Sequence, residues 1–383
     1  MPSSPTPPAP APASASEGAR RPPRRQGLVA LVLASFLLCS TAPLLSRSPH
    51  ADLSGLYTDH LRHAHLTWLF LHKGLDIYRL PFGEAAQGVA YRHPMLQWPH
   101  VPYAYPPLPL ALFLPYSLAH QYLPLTETAL ARLGILYLLA LAHLTFYALL
   151  RALGRLTLAN ALLAFVAWLL LVRSALQGFY DPVWVGCGAV MVHQLARGRP
   201  GPALTWFALA ALMNYRAVVL APLALAALVD AVRGRPWRDW PWGPLALAGA
   251  AGLVCVALFT FVIPSASGFR EEPMLLARGG RPLMLVLAAS AGALLVTFLA
   301  ADLAVAGVVA LCAGLALVDT SQWWHALVLL VAPLAVGAWR PARAPALARV
   351  LLVGWLIIVH THAWGGSPAR LWREVREFAQ RSL

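Results

Sequence analysis

The sequence predicts an all-α, polytopic integral membrane protein, and three observations carry that prediction. Apolar residues make up 59% of the 383-residue chain and the mean hydropathy is +0.63, a composition whose preferred solvent is lipid rather than water. The apolar residues gather into stretches approaching the length that crosses hydrocarbon, about 17–25 residues. Arginines, prolines and glycines cluster between those stretches, where a spanning chain would turn at an interface.

Residues 1–26 are rich in Pro, Ala and Arg without apolar periodicity, and are expected to be a disordered cytoplasmic tail. A single transmembrane domain is expected over 27–364, with about eleven spans near 27–45, 129–150, 157–173, 181–196, 201–215, 217–232, 244–264, 283–300, 302–318, 325–338 and 348–362. The first is long and no small-x-small cleavage site follows it, so it reads as a retained signal anchor. Arg20, Arg21, Arg24 and Arg25 precede it, which keeps the N-terminus inside and puts the loop 46–128 outside. Arg151/Arg155, Arg197/Arg199, Arg233/Arg235/Arg238 and Arg340/Arg343/Arg349 then fall on alternate, cytoplasmic loops. This alternation requires residues 106–122 to be an interfacial or re-entrant segment, as prolines at 106, 107, 109 and 115 favour. Residues 365–383 form a basic amphipathic tail carrying Arg370, Arg373, Arg376 and Arg381, which the same count leaves outside, against the rule.

A net charge of +14 would suggest nucleic acid for a soluble chain. Here the arginines sit at span ends, suited to anionic headgroups, and no nucleic-acid motif accompanies them. Membrane lipids are therefore the expected partners of this charge. Cys39, Cys187, Cys255 and Cys312 all fall in apolar stretches without metal-type spacing and read as packing residues.

With charged side chains at only 11%, the loop 46–128 stands out for its acids and imidazoles. Asp59 begins a run to Gly74 that reads as an interfacial helix, with Leu61, Trp68 and Leu71 toward lipid or the bundle. Asp59 is suited to cap that helix, and a capped carboxylate at a membrane surface is also a rigidly held base. Gly74 is expected to end the helix in a left-handed conformation, with Tyr78 packing at the surface. His60, His63, His65 and His72 lack a helical zinc register, and read as interfacial imidazoles that bind phosphate or water, with no bound metal. Tyr105-Pro-Pro107 reads as a scaffold that shapes the entry to the next helix and lines a lipid groove.

Asp59, Gly74, Tyr78 and Tyr105-Pro-Pro107 together resemble the opening of glycosyltransferase family 87, polyprenyl-phosphate-mannose transferases of the GT-C superfamily. Gln177-Gly-Phe-Tyr-Asp181 stands where that family has a Gly-Gln-x-Asn element. Asn214-Tyr-Arg216 stands where it has Lys-Pro, and Ser321-Gln-Trp-Trp-His325 is similar to its Ser-Trp-x-His-His segment. The likeness runs over roughly 27–340, with the Gly-Gln-Asn element reordered, Arg216 replacing Lys and one histidine of the pair present.

The resemblance implies a GT-C bundle that transfers a sugar, mannose or another hexose, from a polyprenyl phosphate to a hydroxyl of a glycan or glycolipid acceptor, with inversion by direct displacement. Such a transfer needs a base for the hydroxyl proton and cations for the departing phosphate, with no separate cofactor. Asp59 is the expected catalytic base, Arg216 and His325 the donor-phosphate ligands, and Asp181 the acceptor-side support. Tyr105, Trp324 and His60 are expected to line the substrate site. Each has a structural alternative: Arg216 as a snorkelling anchor, Arg173 and Asp181 as an ion pair, Trp323 and Trp324 as an aromatic belt. The rival for the whole chain is a non-enzymatic lipid or polysaccharide transporter, which would string its ionisable groups along a pathway near the midplane.

Overall fold

A computed structural model describes residues 25–45, 59–92, 99–103, 105–153, 158–214 and 234–258, with scattered positions between 217 and 232. All regular elements among them are helical. They are α1 (Arg25–Leu45), α2 (Asp59–Lys73), a 3₁₀ turn (Gly74–Tyr78), α3 (Phe82–Ala85), α4 (Leu108–Tyr122), α5 (Glu127–Leu153), α6 (Leu158–Leu176), α7 (Asp181–Ala196), α8 (Pro200–Met213), a 3₁₀ turn (Trp237–Asp239) and α9 (Trp242–Ala257). The predicted spans after 264 lie outside the described residues.

Two of these helices, Gln26–Leu45 and Glu127–Leu153, are long and apolar enough to cross a membrane, and Ala167–Leu176, Pro200–Met213 and Trp242–Cys255 are shorter apolar segments. Along α1, Leu31, Leu33, Leu37, Leu38, Leu44 and Leu45 are all exposed.

The helices are stitched by a few polar groups set in apolar surfaces. Trp168 Nε1 of α6 donates to Ser35 Oγ of α1 at 2.6 Å, and that hydroxyl lies 3.0 Å from His143 Nε2 of α5. One serine thus ties three helices, a use of polar side chains suited to an apolar surround. Thr145 Oγ1 of α5 donates to the Pro182 carbonyl at 2.7 Å, and Gly186 of α7 brings its backbone against Thr145, leaving no room there for a Cβ. α8 packs on α7, and α9 on α8. The polar stretch folds against this bundle, with α2 on α4 and both against α5. Ser117 Oγ donates to the Ala64 carbonyl at 2.7 Å, Tyr116 Oη to Leu130 at 2.9 Å and Tyr137 Oη to Leu112 at 2.7 Å.

Local signals set the ends that matter for the site. Lys73 ends α2 because Gly74 takes φ +57°, the left-handed conformation expected of it, and the 3₁₀ turn that follows folds back beneath α2. Gly178 does the same at φ +84° after α6, so that Pro182 can open α7 in its first turn. Pro107 precedes Leu108, and α4 begins where the consecutive prolines end.

Candidate functional site

Helix α2 has too many polar residues for an apolar stripe alone, yet most of it is buried. Residues 74–92 and 99–103 wrap it: Tyr103 N donates to the Ile77 carbonyl at 2.9 Å, Gly83 N to Pro99 at 2.7 Å, and Trp68 Nε1 of α2 to Ala90 at 2.9 Å. The wrapping brings aromatic rings onto the imidazoles. His65 stacks on Tyr91 with centroids 4.4 Å apart and planes at 3°, and Tyr91 stacks in turn on His120 of α4 at 5.1 Å and 8°. His60 stacks on Tyr116 at 6.0 Å, beside the bare backbone of Gly134. The expectation of surface imidazoles is therefore corrected: His60, His63 and His65 are buried, because an imidazole is flat enough to pack as a ring. Tyr78 is corrected likewise. It is buried against Tyr103, centroids 5.1 Å apart, not at the surface. Among the described residues no three His, Cys, Asp or Glu side chains gather as a metal-ligand set.

His63 is the hub between the polar stretch and the bundle. Its ring lies 5.0 Å from Phe113 of α4, 5.4 Å from Tyr105 and 4.8 Å from Tyr180, the residue that precedes α7. Tyr105 and Tyr180 are themselves 5.8 Å apart, edge to face. Position 59 lies one helical turn before position 63, so the two share a stripe of α2. The side chain of Asp59 lies outside the described residues.

Beyond Tyr180 the site continues into a buried polar pair. Asp181 Oδ1 accepts from Trp184 Nε1 at 3.2 Å and from Asn214 Nδ2 at 3.3 Å, with Asp181 6% exposed and Asn214 0%. Two stretches singled out in the sequence, 177–181 and 214–216, thus meet through a hydrogen bond. Arg216, two residues past Asn214, lies outside the described residues, as do His325 and Trp324. Of the expected site residues, Tyr105 and Asp181 are brought together through Tyr180. His60 is carried to the α4–α5 side by its contacts with Tyr116 and Gly134.

The sequence reading left Arg62 out and took His63 only for an interfacial imidazole. Arg62 Nη2 donates to the Val101 carbonyl at 3.2 Å, and its guanidinium carbon lies 5.7 Å from the Phe82 ring centre. The signal that could have found both is compositional. An aromatic run from Tyr78 to Tyr116 follows an imidazole-rich helix closely enough to cover it.

Burial first, then the charge of Arg62 and the neighbouring His60, hold the His63 imidazole down at about 3, so it is neutral at physiological pH. In the unfolded chain a histidine takes a proton near pH 6.5, whereas folded His63 resists it until about 3. Stability is therefore full above pH 6.5 and falls as the pH drops toward 3, by up to about 1.4 kcal/mol per pH unit from this residue. Unfolding free energies of wild type and His63→Phe, measured between pH 7 and 5, are expected to diverge, with the variant the flatter. Parallel curves would remove His63 as a buried neutral group.

No family model matches the chain, and no curated protein or solved structure is significantly similar to it.

Proposed function

We propose that the protein is a multi-pass membrane glycosyltransferase of GT-C type. It moves a sugar, mannose or another hexose, from a polyprenyl phosphate to a hydroxyl of a glycan or glycolipid at the extracytoplasmic face. The observation that carries the reading is the meeting of three separated sequence elements. The helix opened by Asp59 presents His63 to both Tyr105 and Tyr180, and Tyr180 leads into the Asp181–Asn214 pair. Transfer from a lipid phosphate requires a base, a shaped lipid approach and a buried polar wall, the parts this reading gives to Asp59, to Tyr105-Pro-Pro107 and to the Asp181–Asn214 pair.

In this reaction Asp59 takes the proton of the acceptor hydroxyl as its oxygen attacks the anomeric carbon. The bond from that carbon to the phosphate oxygen breaks, leaving polyprenyl phosphate. Arg216 and His325 receive the phosphate charge, with Trp324 beside them. Asp181, fixed by Asn214 and Trp184, accepts a second hydroxyl of the acceptor and orients it. No resident cofactor enters the scheme. Purified protein in lipid, given polyprenyl-phosphate [¹⁴C]mannose and a membrane glycolipid extract, is expected to move label into the acceptor fraction. Movement of intact donor across the bilayer without loss of its sugar would instead identify a transporter.

A further inference from the structure

Arg62 is 8% exposed, so a guanidinium has been taken out of water, and such groups are ordinarily matched by an anion. Among the described residues no carboxylate pairs with it. One of its five N–H groups is used on the Val101 carbonyl, its Nε has no acceptor, and the Phe82 face offers only a weak partner. The neighbours supply no charge either. His63 is neutral, and the phenol of Tyr103, held well above its ordinary value chiefly by burial, stays protonated.

We infer that Arg62 is the buried anchor of an anion site of the phosphate class, between α2 and residues 99–103. A planar fork with free donors binds two oxygens of one tetrahedral or planar anion at once. The choice of phosphate over carboxylate rests on the transferase reading, whereas the uncompensated charge does not. Arg62 stands three residues after Asp59 on α2, which lets one helix carry both the proposed base and a ligand for the departing group.

The test is thermal unfolding of the full-length protein in phosphatidylcholine nanodiscs at matched ionic strength, with inorganic phosphate in one arm and polyprenyl phosphate in the bilayer in the other. Wild type is expected to be stabilised, and Arg62→Gln to be at least as stable as wild type without ligand, with apparent affinity weakened about tenfold or more. Arg62→Lys, which keeps the charge without the fork, is expected to respond in between. Response to both ligands assigns the phosphate group itself, and response to polyprenyl phosphate alone assigns a lipid-borne phosphate. The inference is overturned if wild type responds to neither. It is also overturned if Arg62→Gln loses the same stability with and without ligand, as a structural prop or an ion pair with Asp59 requires. Binding is read here without turnover. Absent sugar transfer with an intact phosphate response would count against the transferase reading alone.

Discussion

Asp59→Asn lowers the rate of sugar transfer by about 10²–10⁴-fold while leaving the donor KM close to that of wild type. The amide has nearly the shape of the carboxylate and serves about as well at the start of a helix, so α2 should still begin at this position. What it cannot do is accept the acceptor's proton. The variant therefore separates a helix-opening role, which asparagine fills, from a base, which it does not. Single-turnover kinetics at saturating donor, beside a thermal midpoint unchanged within a degree or two, is the measurement. Full turnover would leave Asp59 a structural residue and remove the base from the scheme.

Gly134→Ala destabilises the protein by about 1–3 kcal/mol, and Gly134→Val by more. The cost is steric. A Cβ at this position of α5 would sit 2.5 Å from both His60 Cδ2 and Tyr116 Oη. Neither neighbour is a loose chain end: Tyr116 is held by its bond to the Leu130 carbonyl, and His60 is stacked between α2 and α4. The added atom must therefore push the start of α2 away from α5, moving position 59 relative to Asp181. Chemical denaturation reads the stability, and Tyr116→Phe combined with Gly134→Ala should recover part of it by removing one of the three clashing atoms, Tyr116 Oη, while Cζ at 2.6 Å stays in place. Strict additivity of the two changes would show that the close approach is not what Gly134 provides.

Much of the helical order was legible in the sequence because its signals are local. The bounds 181–196 coincide with α7, since Pro182 starts a helix and Gly198, at φ +64°, follows its end. Glycine at 74 announced the end of α2 for the same kind of reason. Burial of α2 was not legible. A 3.6-residue pattern with Leu61, Trp68 and Leu71 turned inward assigns Arg62 and His63 to a wet face, but a distant segment supplied Phe82, Tyr103 and Tyr105 to cover them. Likewise spacing marked Asp181 and residues 214–216 as separate candidates, and only the packing of α7 on α8 joined them. Tertiary contacts decided the site, and they leave no periodicity in a single chain.

The most direct measurement is the fate of labelled sugar in sealed proteoliposomes carrying the purified protein, polyprenyl-phosphate [¹⁴C]mannose and a glycolipid acceptor. The account predicts that label leaves the donor, appears on the acceptor with one polyprenyl phosphate released per sugar, and stays on the donor in the Asp59→Asn variant. Label that remains on the donor in wild type while the donor itself changes leaflet would contradict it.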